Sequence, residues 1–191
     1  MERVAIMVGP RGRGSNMAAL IQACRRGDVP AEVAVVIAPA DGSEALALAT
    51  SLGVETRVVP PGESYGERLL EVLADSDWLC LAGFLRILPK EVLDAFRDRV
   101  LNIHPSLLPK FGGKGMYGHH VHEAVIEAGE SESGCTVHLV NEQYDDGAIV
   151  LEKRCPVLSD DTPETLAARV LTLEHVAYAE ALAKVIYDRP R

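Results

Sequence analysis

The stretch Val100-Leu101-Asn102-Ile103-His104-Pro105-Ser106-Leu107-Leu108-Pro109 reads as a short buried strand that stops at a proline. Side chains alternate along an extended backbone, so Asn102 and His104 are expected on the same side of the strand. Pro105 ends the strand and biases His104 toward extended geometry. Two hydrogen-bonding side chains therefore point together at the carboxyl end of a strand, where open α/β sheets bind their ligands.

Upstream of this stretch, short apolar runs alternate with amphipathic segments. We predict strands over 3–8, 32–38, 55–59 and 78–81, and helices over 16–26, 43–52, 65–74 and 90–97. Ser15 can cap the first helix, and Gly27 suits its end. This β-α-β-α order predicts an α/β fold with a single doubly wound, mostly parallel, Rossmann-like sheet and right-handed crossovers.

Downstream of the stretch, the pattern changes. Residues 107–118 form a glycine-rich loop, and 120–128 read as a helix. The runs 135–141 and 148–155 predict an antiparallel hairpin, and 162–186 a long amphipathic helix with Thr162 as its cap and Pro163 at its first position. Because we find no repeat or linker, we expect one domain over residues 1–191.

Composition and charge exclude several classes of protein. The net charge of -9 argues against nucleic-acid binding. No apolar run reaches membrane-spanning length, and the N-terminus does not resemble a signal peptide, so we expect no membrane partner. The four scattered cysteines are expected to be reduced thiols, which favours a cytoplasmic protein. The sequence leaves the oligomeric state open.

The segment from Gly9 to Asn16 could hold an anion. Glycines let the backbone approach a ligand closely, and the following helix offers unpaired N–H groups. Met17 occupies the third glycine position of a dinucleotide fingerprint, and no Walker lysine follows, so a phosphate monoester is the better candidate. An ordinary glycine-rich turn is the alternative. Arg11 and Arg13 could add positive charge or could simply be solvated.

Asn102 and His104 could both donate hydrogen bonds to one developing oxyanion. A histidine that acts as a cation near neutral pH needs a carboxylate nearby to raise its pKa. The turn Tyr144-Asp145-Asp146-Gly147 offers two, although Asp-Asp-Gly is also a common turn sequence. Ser106 lacks the elbow that surrounds a serine nucleophile. The pattern favours a site that stabilises an oxyanion while two substrates react directly.

The cluster His119-His120-Val121-His122 raises the question of a zinc site. No H-E-x-x-H motif or Cys/His framework surrounds it, and Glu123 does not complete one. Loop packing or contact with a ligand is therefore the preferred interpretation. We expect no metal.

At this point the chain resembles the phosphoribosylglycinamide formyltransferases, the folate-dependent glycinamide ribonucleotide transformylase family of purine synthesis. The resemblance runs through most of the length, and the opening stretch is shared by related formyl-folate enzymes. The matching segments are Gly14-Ser15-Asn16, residues 82–88, residues 102–109, residues 134–140, Asp145-x-Gly147 and residues 169–175.

The resemblance implies the formyltransferase fold and a reaction between two small-molecule substrates, in which the amine of phosphoribosylglycinamide attacks the formyl carbon of 10-formyltetrahydrofolate. It also implies roles for individual residues. The catalytic residues would be Asn102, His104 and Asp145, with Asp145 orienting His104 and raising its pKa. Glycinamide ribonucleotide would contact Gly14, Ser15, Asn16, Met17, Ala18 and Glu174, and the folate would contact Leu85, Arg86, Ile87, Leu88, Asn102 and Val140.

The chain departs from the family pattern at three places. Its first loop, with Pro10-Arg11-Gly12-Arg13, is longer than the common family loop. No basic residue lies around Gly62, where some members place an arginine near the folate tail. Leu171 replaces a polar or basic residue, which shifts the expected phosphate contact toward Arg11 or Arg13.

Three other functions remain possible at this point. A formyltetrahydrofolate hydrolase would use water in place of the amine, but such enzymes usually carry a regulatory domain. A tRNA formyltransferase would be longer and would need a basic surface. A non-catalytic nucleotide-binding sensor would leave Asn102, His104 and Asp145 without a role.

Overall fold

The computed structural model describes residues 1–10 and 12–189. Its strands are β1 (Glu2–Val8), β2 (Ala31–Ala38), β3 (Glu55–Val58), β4 (Trp78–Ala82), β5 (Val100–His104), β6 (Glu132–Leu139) and β7 (Ile149–Pro156). Its helices are α1 (Ser15–Arg26), α2 (Glu44–Ser51), α3 (Tyr65–Leu73), α4 (Lys90–Ala95), α5 (His119–Glu127) and α6 (Pro163–Asp188). Within these ranges, no helix combines the length and the apolar character that crossing a membrane requires.

All these strands belong to a single sheet in the order β3-β2-β1-β4-β5-β6-β7. Strands β1 to β5 run parallel, whereas β6 is antiparallel to β5 and β7 is antiparallel to β6. The predicted mostly parallel sheet with a C-terminal hairpin and a long helix is therefore confirmed. The strand order reverses between β1 and β4, and α/β sheets bind ligands in the crevice outside such a switch point.

Both faces of the sheet are buried, as the alternate side chains of β1 illustrate. Val4, Ile6 and Val8 join a core with buried residues of α1 and α6. Ala5 and Met7 point to the other face and join a second core with α3 and α4. A strand that is buried on both faces reads as a continuous apolar run. This burial explains why residues 3–8 could be recognised as a strand.

Several element boundaries differ from the predictions by one to three residues. Gly14, at φ 79°, is the N-cap residue of α1, and Ser15 is the first helical residue, so the prediction that Ser15 caps this helix is wrong. The predicted end at Gly27 is confirmed. Strand β6 begins at Glu132 rather than at Cys135. The prediction missed its first three residues because Glu, Ser and Gly do not form an apolar run.

Helix α6 fixes the two strands whose ends carry the predicted site. It begins with a capping box between Thr162 and Thr165, and the predicted cap at Thr162 is confirmed. Further along, the fully buried hydroxyl of Tyr178 lies 2.9 Å from the carbonyl oxygen of Leu81 and 3.0 Å from that of Leu101. One hydroxyl proton is thus shared between β4 and β5, which holds the helix in register with both strands.

Replacing Tyr178 with Phe should lower the free energy of unfolding by about 1–2 kcal/mol, because it removes a buried hydrogen bond while keeping the packed ring. Urea denaturation followed by circular dichroism measures the difference. Tyr187→Phe is the matched control, since Tyr187 lies on the same helix and is 73% exposed. Equal stability of the Tyr178→Phe variant and the unmodified protein would contradict this role.

Candidate active site

Asn102 and His104 lie at the carboxyl end of β5 and face the same side of the sheet, as predicted. Leu101 and Ile103 alternate with them and point into the core on the opposite face. Strands β4 and β6 flank β5, so the pair lies inside the sheet rather than at its margin. His104 is only 4% exposed. Its chemistry is therefore set by protein neighbours rather than by bulk water.

The carboxylate of Asp145 brings the polar groups of the site together. It comes from the turn between β6 and β7, and it lies 3.4 Å from His104 Nδ1 and 3.4 Å from Asn102 Nδ2. Its Oδ2 also accepts the backbone N–H of Gly113 at 2.9 Å. Asp145 adopts φ 53°, a left-handed conformation that aspartate tolerates better than most residues. The sequence could not decide between Asp145 and Asp146, and the structure places Asp145 beside His104.

Gly147 allows this turn to lie against β6. A side chain at position 147 would overlap the carbonyl oxygen of Leu139 and would approach the ring of His138. Asp146, by contrast, is directed away from the site, and its carboxylate lies 3.4 Å from the side-chain nitrogen of the exposed Asn141. The two adjacent aspartates therefore differ completely in surroundings.

Both ring nitrogens of His104 face acceptors. Its Nε2 lies 2.8 Å from the carbonyl oxygen of Phe111, and its Nδ1 faces Asp145. Both contacts are attractive only when the ring carries two protons. Burial nevertheless lowers the pKa of His104 below its ordinary value, while the charge of Asp145 and the Phe111 carbonyl act to raise it. Asp145 therefore acts on the pKa of His104 in the expected direction, but desolvation outweighs its effect.

Asp145 remains ionised in this environment. Burial by itself would raise the pKa of its carboxyl group, yet the hydrogen bond to His138 and the charge of His104 hold that pKa below the ordinary value. The Gly113 amide adds to this effect. The site thus pairs an ionised carboxylate with a histidine whose protonation depends on it.

His138 is a member of the site that sequence reasoning missed. It lies directly across from Asn102 in the β5–β6 pairing, with its Nε2 3.1 Å from Asn102 Nδ2 and 3.5 Å from Asp145 Oδ1. Its Nδ1 lies 2.8 Å from the carbonyl oxygen of Leu139, so that the ring is held with Nε2 toward Asn102 and Asp145. The signal in the sequence was a single histidine within the mostly apolar run 135–141 that predicted this strand.

The first turn of α1 presents free backbone amides to the site. The N–H groups of Ser15, Asn16 and Met17 lack intrahelical partners, as in any helix start. Ala18 is the exception among the predicted residues, because its amide donates to the Gly14 carbonyl oxygen at 2.8 Å and is not available to a ligand. The Met17 side chain is fully buried in the core, so only its backbone could contribute.

Glu174 and Asn16 form a polar pair beside this helix start. Asn16 Nδ2 donates to Glu174 Oε2 at 2.6 Å, linking α1 to α6. Burial raises the pKa of Glu174, and the Asn16 hydrogen bond only partly offsets it. The Oδ1 atom of Asn16 is buried and has no partner among the described residues. An acceptor of this kind is suited to a ligand hydroxyl group.

The segment after β4 forms an apolar border on the other side of the site. Leu85 and Ile87 are 51% and 49% exposed, whereas Phe84 and Leu88 are buried beneath them. Such half-exposed aliphatic side chains fit the face of a flat aromatic ligand. Arg86 projects between them at the rim.

A cleft of about 870 Å³ joins these parts. The predicted residues that line it are Ser15, Asn16, Leu85, Arg86, Ile87, Leu88, Asn102, His104, Val140, Asp145 and Glu174. Gly14, Met17 and Ala18 lie behind this lining. Of the two arginines of the first loop, Arg13 lines the cleft, whereas Arg11 lies outside the described residues. Leu171 also lines the cleft.

Two histidines at the start of α5 contact the same carboxylate. His119 Nε2 lies 3.1 Å from Glu123 Oε1, and His120 Nδ1 lies 3.3 Å from the other oxygen of the same carboxylate. Burial lowers the pKa of His122 to about 4. Among residues 1–10 and 12–189, no three His, Cys, Asp or Glu side chains are grouped closely enough to hold a metal ion.

The chain is similar to known formyl transferases. The family model described as "Formyl transferase" matches residues 2–182, a range that includes every cleft residue named above. The chain is 39% identical, over 98% of its length, to a chloroplastic phosphoribosylglycinamide formyltransferase of Arabidopsis thaliana. It spans 66% of that plant relative, just under two thirds of its length.

Bacterial relatives match over more of their length. A phosphoribosylglycinamide formyltransferase of Haemophilus influenzae is 34% identical over 93% of this chain and 84% of its own. The crystal structure of phosphoribosylglycinamide formyltransferase from Brucella melitensis superimposes with a TM-score of 0.88 at 40% identity, covering 100% of this chain and 98% of that one.

Replacing Asp145 with Asn should lower the pKa of His104 further below that of the unmodified protein, because it removes the charge that opposes desolvation. Titration of the His104 ring by NMR measures this shift. The matched control is Asp146→Asn, one residue away and outside the site. If His104 titrates identically in both variants, Asp145 does not set its protonation.

Proposed function

The chain belongs to the formyl transferase family, and from that membership we propose that it transfers the formyl group of 10-formyltetrahydrofolate to the amine of phosphoribosylglycinamide. This is a one-carbon transfer step of purine biosynthesis. The single observation that carries the proposal is the grouping of Asn102, His104 and Asp145 in one cleft. The names of the plant and bacterial relatives support the same substrate.

The reaction needs an oxyanion to be stabilised. The amine nitrogen attacks the formyl carbon, a carbon–nitrogen bond forms, and the formyl oxygen acquires negative charge. A protonated His104 and the Asn102 amide would stabilise that charge. Asn102 would exchange its long 3.4 Å contact with Asp145 for the oxyanion and would keep its contact with His138.

Collapse of this intermediate breaks the bond between the formyl carbon and the folate nitrogen. The proton lost by the attacking amine has to reach that leaving nitrogen. Asp145 is the ionised carboxylate nearest to His104, so it would orient His104 and could relay the proton through a water molecule. The folate accepts the proton, and the transferred formyl group becomes an amide.

The buried position of His104 fits this mechanism. Desolvation lowers its pKa in the resting site, and a developing oxyanion would add negative charge that favours the imidazolium. Stabilisation is therefore greatest when the transition state forms, which is the condition for a faster chemical step. Holding both substrates in one cleft contributes through proximity. No step in this mechanism calls for a metal.

The polar end of the cleft would bind phosphoribosylglycinamide. The free amides of Ser15, Asn16 and Met17 would hold its phosphate, with Gly14 giving the backbone access. Glu174 would accept hydrogen bonds from ribose hydroxyl groups, and the unpartnered Oδ1 of Asn16 would do the same. Ala18 is left out of this set because its amide is already used.

The apolar end of the cleft would bind the folate. Leu85, Ile87 and Leu88 provide a surface for the pterin, Val140 borders it, and Arg86 is available at the rim. The backbone of this segment would recognise the polar edge of the pterin. We also propose that residues 1–191 act as a single formyltransferase domain, which is supported by one sheet extending from β1 to β7.

One assay tests the activity. Release of tetrahydrofolate from 10-formyltetrahydrofolate is followed with and without phosphoribosylglycinamide, and we expect turnover only when the amine is present. Equal turnover without the amine would contradict the transferase and favour a formyltetrahydrofolate hydrolase. No turnover in either case would favour a non-catalytic sensor.

His104→Ala should reduce the amine-dependent turnover by about a thousandfold, because it removes the main oxyanion donor. His120→Ala is the matched control, since His120 is exposed and contacts Glu123 outside the cleft. Similar rates for the two variants would exclude His104 as the catalytic group. Circular dichroism of both variants tests whether they remain folded.

A further inference from the structure

Among the charged side chains that line the cleft, the acidic ones have protein partners and the basic ones do not. Three are acidic, namely Asp145, Glu164 and Glu174, and three are basic, namely Arg13, Arg86 and Lys114. Each acid has a partner. Asp145 faces His104, Glu174 accepts from Asn16, and Glu164 lies 3.7 Å from His119 Nε2.

None of the three basic side chains has such a partner. Among residues 1–10 and 12–189, no carboxylate oxygen lies within 4.0 Å of the Arg13, Arg86 or Lys114 cations. Other cations of the described residues either pair with a carboxylate, as Lys110 does with Glu130 at 2.7 Å, or, like Arg25, Arg68 and Arg99, donate to a backbone carbonyl oxygen. In a chain of net charge -9, unpaired positive charge concentrated in one cleft indicates an anionic ligand.

Lys114 is held at the tip of a turn that is anchored to Asp145. The N–H of Gly113 donates to Asp145 Oδ2, and the N–H of Met116 donates to the Gly113 carbonyl oxygen at 3.1 Å. Gly113 and Gly115, on either side of Lys114, have φ of 94° and 89°, which other residues rarely adopt. These contacts fix the backbone on both sides of Lys114, which lines the cleft.

Arg13 enters the cleft from a different loop. It follows β1 and immediately precedes Gly14, the N-cap residue of α1. Strands β1 and β5 are separated only by β4, so the loops that carry Arg13 and Lys114 start about 10 Å apart. Two long cationic side chains can reach a common anion across that distance.

We infer that Arg13 and Lys114 together hold the phosphate group of the ribonucleotide substrate, an inference that rests on the proposed function. Leu171 offers no polar group to that phosphate, and the neighbouring Glu174 would repel it. The half-charge of the α1 start does not balance a dianion. The two cations supply the missing charge, whereas Arg86 lies in the chain between Leu85 and Ile87, the exposed apolar side chains proposed to face the pterin. Arg13 and Lys114 are positioning residues, because they touch no reacting atom.

The test compares substrates with and without the phosphate. Arg13→Ala and Lys114→Ala should each lower kcat/KM for phosphoribosylglycinamide about tenfold, mainly through KM, as expected for a charge-assisted contact that is equal in ground and transition states. The same variants should change kcat/KM for glycinamide riboside, which lacks the phosphate, by less than twofold. The double variant should lose more than either single variant, and with the phosphorylated substrate only.

Lys110→Ala and Arg26→Ala serve as matched controls, because both cations lie outside the cleft and pair with Glu130 and Asp28. These two substitutions should leave kcat/KM unchanged for both substrates. Equal losses for the phosphorylated and unphosphorylated substrates, or no loss at all, would overturn the inference for that residue.

Binding separates this inference from the proposed function. Isothermal titration with ribose 5-phosphate and with ribose needs no turnover. The unmodified protein should bind ribose 5-phosphate, and the double variant should bind it about a hundredfold more weakly. If the protein fails to formylate phosphoribosylglycinamide yet shows this difference in binding, the proposed function is wrong, but the phosphate clamp formed by Arg13 and Lys114 is supported. If ribose 5-phosphate binds no better than ribose, the clamp is wrong.

Discussion

The contact between Asp145 and His104 is the constraint on which the rest of the cleft depends. One carboxylate orients the histidine, accepts the amide of Gly113 and touches Asn102. It therefore connects strand β5, the β6–β7 turn and the glycine-rich loop, which are distant in the chain. The cost of keeping Asp145 ionised in a buried place is offset by the donors that surround it.

The antiparallel hairpin explains how this contact forms. Because β6 pairs antiparallel with β5, His138 lies across from Asn102 and points to the same face. Leu101 and Val137 fill the core on the other face. The turn after β6 then folds back over that polar face, and Gly147 allows it to lie against Leu139. A purely parallel sheet would have placed a helix there instead of a carboxylate.

The sequence predicted the sheet and the Asn102–His104 pair because both depend on local patterns, namely apolar runs and strand alternation. It could not show that Asp145 reaches His104, since that contact joins residues far apart in the chain. It missed His138, because a single histidine in a strand resembles an ordinary core residue. It could not show that burial lowers the pKa of His104 by more than Asp145 raises it, because burial is a tertiary property.

The charged groups of the cleft differ in their partners: the acidic groups contact other protein groups, whereas the basic groups are available to a ligand. Asp145, Glu164 and Glu174 are each engaged by a protein partner. Arg13 and Lys114 stay free although the chain has an excess of acidic residues. Unpaired cations near partnered acids attract an anion without neutralising the carboxylate that orients His104. Binding of an anionic ligand and protonation of His104 can therefore depend on different residues of one cleft.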